Sequence, residues 1–286
     1  MQFQAPESIE DAVNLLANAS GEARVLAGGT DLLVQLRAGM ISPALVVDLK
    51  HIGQTRSITA DDGGFRIGAA VAGAELNEHS AVKESWPGVV ESVDLIGSTQ
   101  IQGRASMGGN LCNASPAADS VPAMIAARAV CRVAGPGGYR DVPVENICTG
   151  PGQTSLSKGE LVVSIFLPAR PAHSGDAYLR FIPRTEMDIA VVGAGVNLTL
   201  DDGGTCTEAH VALGAVGPVA MLVPAAAAAI VGSTLDEASI ERMAAACSAA
   251  CEPIDDKRGT IEFRTKVAGV LARRAAGIAL ERARSN

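Results

Sequence analysis

The chain of 286 residues has few aromatic side chains: they make up 3% of it, with one tryptophan and two tyrosines. It also lacks an excess of positive charge. Twenty-three basic against 31 acidic residues give a net charge of −8, which argues against nucleic acid as the main partner. No long hydrophobic run is present. The longest, Met221 to Val231, contains Pro224 and five successive alanines, and is too short and too weakly apolar to span a bilayer. Met1-Gln2-Phe3-Gln4-Ala5-Pro6 has neither the basic nor the apolar region of a secretory leader, so the expected compartment is the cytoplasm. None of the six cysteines forms a CxxC pair, and the four histidines are scattered among them, which argues against a zinc or iron–sulfur site within this chain. All six are expected to be thiols, with Cys247 and Cys251, at i and i+4, reading as packing residues of a helix. There is no GxSxG elbow and no pair of carboxylates beside a histidine, so acid–base and nucleophilic catalysis have no support. Neither a P-loop lysine nor a G-x-G-x-x-G fingerprint occurs.

What the sequence does contain is two glycine pairs in the same local setting: Val25-Leu26-Ala27-Gly28-Gly29-Thr30-Asp31-Leu32 and Ser106-Met107-Gly108-Gly109-Asn110-Leu111. Each follows an apolar stretch and opens a helical pattern. Without a Cβ, glycine lets several amides turn toward one point and lets a bulky anion approach, and the helix that follows adds free N–H groups. One such loop is also found in ligand-free tight turns. Two of them suit the two phosphates of a dinucleotide.

The 48% apolar content and the length allow one large domain or two to three smaller ones. Ser8 can cap a helix whose face is Ile9, Ala12, Val13 and Leu16. The strand Arg24–Ala27, a second helix Asp31–Ala38 closed by Gly39, and the strand Leu45–Leu49 complete a compact unit. A strand at Phe65–Ala69, helices near Ala74–His79, Val89–Ile96 and Val121–Ala129, and strands near Val130–Ala134 and Leu161–Leu167 follow. Pro168 to Gly175 reads as a linker. Beyond it, strands Tyr178–Ile182, Ile189–Leu200 and Cys206–Leu213, with a turn at Asp201-Asp202-Gly203-Gly204, suggest an antiparallel sheet. Two helices are expected to finish the chain. In the last, Phe263, Val267, Val270, Leu271 and Ile278 form the expected buried face, with Arg264, Arg273, Arg282 and Arg284 off it. Trp86, before Pro87, reads as a staple at a helix end.

Ala27-Gly28-Gly29-Thr30-Asp31-Leu32-Leu33 and Met107-Gly108-Gly109-Asn110-Leu111-Cys112-Asn113-Ala114-Ser115-Pro116-Ala117-Ala118-Asp119 resemble the two flavin motifs of the FAD-binding medium subunits of molybdenum hydroxylases. This is the family of the xanthine dehydrogenase flavin subunit and the carbon monoxide dehydrogenase medium subunit. Thr149-Gly150-Pro151-Gly152, Arg184 with Met187-Asp188-Ile189-Ala190, and Phe263-Arg264 also look like family landmarks.

The resemblance implies an α+β fold. A vanillyl-alcohol-oxidase-like (PCMH-type) FAD-binding domain occupies 1–174, in two α/β subdomains of about 1–55 and 56–174, and a smaller C-terminal α+β domain occupies 175–286. It implies non-covalent FAD, with Val25, Leu26, Ala27, Gly28, Gly29, Thr30, Asp31 and Leu32, and Ser106, Met107, Gly108, Gly109 and Asn110, lining the phosphates and ribityl chain. Asp119 would accept a hydrogen bond from a cofactor hydroxyl, Val162 would lie against the isoalloxazine ring, and Arg180 near its polar edge. Ile96 stands where some relatives carry an aromatic residue. Read from the residues alone, Asp119 also fits an N-cap, Val162 a core position, and Arg180 a solvated strand position; these readings stand beside the implied ones. The resemblance further implies a large molybdopterin subunit and a small subunit with two 2Fe-2S clusters, as a dimer of heterotrimers, with FAD passing electrons to NAD, a quinone or oxygen. A stand-alone flavin oxidase of the same fold, with Cys112 as the nearest tether, and a non-redox nucleotide binder are the alternatives.

Overall fold

A computed structural model describes residues 1–286. The chain opens with a three-stranded parallel sheet in the order Gln2–Gln4, Leu45–Asp48, Ala23–Leu26. The helix Ile9–Ala17 covers it with Ile9, Ala12, Val13 and Leu16, and Ser8 Oγ accepts the Asp11 amide at 3.0 Å, as its capping position predicts. The edge strand Gln2–Gln4 escapes the sequence reading because all of its residues are exposed, so no apolar pattern marks it. The second helix, Leu32–Arg37, buries no residue and ends at Gly39, whose φ of +68° is the left-handed closure expected there.

The second sheet is antiparallel, in the order Ile58–Asp61, Gly64–Gly68, Leu161–Leu167, Val130–Gly135, Gly138–Pro143. Its central strand, Leu161–Leu167, is buried on both faces. Val162, Ile165 and Leu167 join a core with the helices Gly73–Glu78, Pro87–Asp94 and Ser120–Ala126, while Leu161 and Val163 join the core under the first sheet. That double burial accounts for the unbroken run Leu161-Val162-Val163 in place of alternation.

The C-terminal sheet is antiparallel in the order Ser174–Phe181, Val192–Leu200, Cys206–Gly214, Met221–Leu222. Its apolar face meets helices Pro224–Ile230, Glu237–Ala249 and Ile261–Ser285. Three helices therefore close the chain where two were expected, the extra one formed by the alanine run. Cys247 is buried and Cys251 half-buried, and all six cysteines are free thiols. The face of the last helix also differs from expectation. Phe263 and Val270 are exposed, whereas Arg264 is buried together with Ala268, Leu271, Ala272, Ala275, Ala276, Ala279, Leu280 and Ala283. The helix lies so close to the sheet that a Cβ on Gly175 would stand 1.9 Å from the Ala279 carbonyl oxygen, which leaves room for alanine and little else.

The other face of the C-terminal sheet receives helix Ser120–Ala126. Gly195 and Gly214 permit this: a Cβ on either would come within 2.7 Å of Pro122. Trp86 is buried at the start of helix Pro87–Asp94, its indole N–H donating to the Pro168 carbonyl at 3.1 Å and its ring carrying the Arg170 guanidinium at 4.7 Å. Asp176, from the C-terminal sheet, accepts the Val89 amide at 3.2 Å and pairs with Arg170 at 2.7 Å. It thus supplies to that helix the capping acceptor that Trp86 lacks.

Candidate functional site: a cleft between two glycine loops

The C-terminal ends of the first-sheet strands Ala23–Leu26 and Leu45–Asp48 face the start of helix Met107–Cys112 across a cleft of about 410 Å³. Of the predicted residues, Val25, Ala27, Gly28, Gly29, Thr30, Asp31, Leu32, Ile96, Ser106, Gly108, Gly109, Asn110 and Val162 line it. The two loops touch. A Cβ on Gly28 would fall 1.6 Å from the Arg104 carbonyl oxygen, and one on Gly108 2.5 Å from that of Ala69, so these glycines serve close backbone packing. Gly29 has φ +85° and turns the chain out of the strand. Gly109 differs from all three. A Cβ there meets only the rotatable Ser106 hydroxyl at 3.0 Å and Ala27 Cβ at 3.8 Å, so it would project into the gap between the loops.

The amides of Gly28, Gly29, Thr30 and Asp31 donate to no protein acceptor, which leaves a run of donors at the cleft wall. In the second loop Ser106 Oγ accepts the Gly109 amide at 3.1 Å, an N-cap that starts the helix. Lys50 fixes the first loop from behind, donating to the Ala27 carbonyl at 2.9 Å and to Asp48 at 2.7 Å. Gln35 reaches Asn113 at 3.2 Å, joining the helices that follow the two loops.

Four predicted residues do not line the cleft. Leu26 and Met107 are buried, Met107 within the core of the second sheet and Leu26 against Gly29 of its own loop. Asp119 and Arg180 lie together behind the second loop. Asp119 Oδ2 accepts from Arg180 at 2.8 Å and Oδ1 from the Tyr178 hydroxyl at 3.2 Å, with Tyr178 3% exposed. Burial pushes the Asp119 carboxyl up to about 6 against the pull of Arg180 and Tyr178. Two readings from the residues alone are corrected here. Asp119 stands at the head of helix Ser120–Ala126 but makes no capping hydrogen bond, because its carboxylate is drawn across to the C-terminal sheet. Arg180 is no solvated strand residue, its side chain being 5% exposed. Tyr178 joins this cluster without any signal in the sequence.

The segment from Thr154 to Leu161, with Leu156, Ser157 and Lys158, also lines the cleft. It was invisible as a site because only Gly159, with φ +88°, marks the turn. Cys112 lines the cleft and is exposed, while desolvation by the protein around it pushes its thiol up to about 12. So high a value leaves almost no thiolate for reaction.

Free amides on the first loop, a capped helix start on the second and the cleft between them define a dinucleotide-binding protein whose chemistry resides in its ligand. Residues 1–170 match the FAD binding domain in molybdopterin dehydrogenase, and residues 177–279 the CO dehydrogenase flavoprotein C-terminal domain. The chain belongs to this family of flavoprotein subunits. It is 33% identical over 283 residues to the carbon monoxide dehydrogenase medium chain of Afipia carboxidovorans, covering 99% of this chain and 98% of that one. It is 31% identical over 264 residues to the xanthine dehydrogenase FAD-binding subunit of Escherichia coli O157:H7, covering 92% and 90%. The structure of reconstituted CO dehydrogenase from Oligotropha carboxidovorans superposes with a TM-score of 0.94, at 33% identity over 99% of this chain and 98% of that chain. The α+β fold with its PCMH-type domain and antiparallel C-terminal sheet is the one expected.

Proposed function

We propose that this chain is the FAD-binding, electron-transferring subunit of a molybdenum hydroxylase, working with a large molybdopterin subunit and a small subunit carrying two 2Fe-2S clusters. The observation that carries the reading is the run of unpartnered amides at Gly28–Asp31 on the wall of the cleft that Gly109 also lines. These donors would hold the pyrophosphate, with Ser106, Asn110 and Thr30 close by, and the buried Leu26 and Met107 would keep the loops in register. Ile96 and Val162 would supply an apolar wall for the ring, with Asp119 and Arg180 held behind the second loop. When bound, FAD supplies the redox chemistry, taking electrons from the iron–sulfur partner and passing them to an external acceptor. The chain binds, orients and shields the cofactor, and no proton donor or acceptor of its own need take part.

Exposed Leu33, Val34 and Met40 beside the first loop, and Met187, Ile189 and the edge-to-face pair Phe181–Phe263, offer apolar surface of the kind that partner chains cover. The proposed division at residues 174/175 falls inside the Pro168–Gly175 linker, one residue into the strand Ser174–Phe181. A dimer of heterotrimers in the cytoplasm is the assembly this reading favours, and no helix is long and apolar enough to cross a membrane. The test is addition of FAD to the purified chain, then acid precipitation. One flavin per chain, released into the supernatant, is expected, and co-expression with candidate large and small subunits should return a complex containing molybdenum and iron. A chain that stays colourless after FAD addition defeats the reading, and flavin retained in the acid pellet would return the tethered oxidase.

A further inference from the structure

Asn110 follows the second glycine pair, is half-buried, and lines the cleft. Its Oδ1 accepts twice from Ser120, from the backbone amide at 3.1 Å and from the hydroxyl at 2.7 Å. A backbone N–H can only donate, so this contact fixes which end of the carboxamide is oxygen. The Nδ2 end is thereby turned away from Ser120. It donates to no protein acceptor and is not sealed from solvent. Ser120 itself is fully buried and spends its one hydroxyl proton on Asn110. Its neighbour Asp119 is gripped by Arg180 and Tyr178, so the place of Ser120 is set from the C-terminal sheet.

We infer that Ser120 is a positioning residue for the cofactor. It locks Asn110 with the Nδ2 donor toward the cleft, where it meets an acceptor oxygen of the flavin dinucleotide, and Tyr178 and Arg180 secure Ser120 through Asp119. This rests on the flavin-binding reading above. A merely structural role makes a different forecast. Helix Ser120–Ala126 lacks a cap from Asp119, and Asn110 Oδ1 takes its first amide instead. Were that the whole role, any acceptor at 110 would serve equally well.

Asn110→Asp separates the two, because it keeps an acceptor for Ser120 and changes only the atom facing the cleft, from a donor to a charged oxygen. Binding to the full chain is measured by FAD titration, and folding by thermal melting of the FAD-free form. For Asn110→Asp the melting temperature holds or rises, as an acidic group suits a helix start, while FAD affinity falls about tenfold or more. That deficit narrows only as the pH is lowered to about 4 and below, where the new carboxyl regains its proton. Ser120→Ala weakens FAD binding several-fold, and Ser120→Thr, which restores a hydroxyl, recovers it. Wild-type affinity in either Asn110→Asp or Ser120→Ala overturns the assignment. A wild-type chain that takes up no FAD fails the flavin reading, and this inference with it.

Discussion

Four glycines in two adjacent loops do three different things, and the difference decides which of them can be used as a probe. Gly28 and Gly108 admit neighbouring backbone, so any side chain there breaks the loops before it reaches a ligand. Gly29, at φ +85°, penalises every L side chain through strain alone. Gly109 has ordinary helical geometry, and a Cβ there meets the Ser106 hydroxyl at 3.0 Å, which already caps the Gly109 amide, and Ala27 Cβ at 3.8 Å. Gly109→Val is therefore expected to abolish FAD retention, lowering affinity by a factor of about 100 or more, and to cost the FAD-free fold about 0.5–2 kcal/mol as the Ser106 cap is displaced, valine itself being no worse than glycine in a helix. Flavin content after purification, beside a melting curve, checks both halves. Unaltered flavin content would mean that the gap at Gly109 is not where the cofactor lies. The two pairs themselves were plain in the sequence, but their division of labour was not. It depends on which backbone lies opposite, and Arg104 and Ala69 are remote from Gly28 and Gly108 in any local pattern.

At the level of the element, the legible pieces were those whose burial follows one period. Helix Ile9–Ala17 buries Ile9, Ala12, Val13 and Leu16 as its spacing requires, and the strand Leu161–Leu167 carries six apolar residues of seven, broken only by Ser164, as burial on both faces requires. Helix Ile261–Ser285 defeated the same logic. Its inward face is mostly alanine, because the sheet approaches so closely at Gly175, with Leu271 and Leu280 admitted beside it while Phe263 and Val270 stay outside. Arg264 belongs to that inner face for a different reason. Its guanidinium, 4% exposed, donates to the carbonyls of Val191 at 2.7 Å and Ala215 at 3.3 Å and pairs with Asp256 at 2.7 Å. It thus ties the start of the helix to two loops of the sheet. Arg264→Leu would leave those acceptors without a donor, at an expected cost of about 3–5 kcal/mol. A denaturant midpoint measured on the full chain reads this directly, and a loss below about 1 kcal/mol would mean that water replaces the guanidinium.

Across the whole molecule, charged groups tie the two halves of the chain together beside the close packing of helix Ser120–Ala126 on the C-terminal sheet. Asp176 caps helix Pro87–Asp94 from the C-terminal sheet, Arg282 donates to the Asp176 carbonyl at 2.8 Å while pairing with Glu91, and Arg180 holds Asp119. None of these pairs was visible in the sequence, since their members lie far apart along the chain and nothing local marks them. Their chemistry makes the joint sensitive to pH. The Asp119 carboxyl rises from 3.8 to about 6 on folding, so the folded chain holds that proton more tightly than the unfolded one. The associated stabilisation, about 3 kcal/mol, is complete below pH about 4 and is lost as the pH climbs through about 6. Between pH 4 and 7, wild type should therefore lose more stability than Asp119→Asn, whose amide does not titrate. Parallel stability profiles for the two proteins would show that Asp119 is charged throughout.

With flavin held as proposed, the unpartnered amides of Gly28 to Asp31 would also tie the polypeptide's lifetime in a cell to a metabolite supply. Free flavin dinucleotide at a hundred times its dissociation constant would add about 2.7 kcal/mol to the folded state. Where flavin is scarce that increment disappears, and the chain meets proteases and chaperones as a weaker fold. The abundance of this protein should then track the riboflavin economy of its host, with no regulator needed beyond a loop that lacks acceptors of its own.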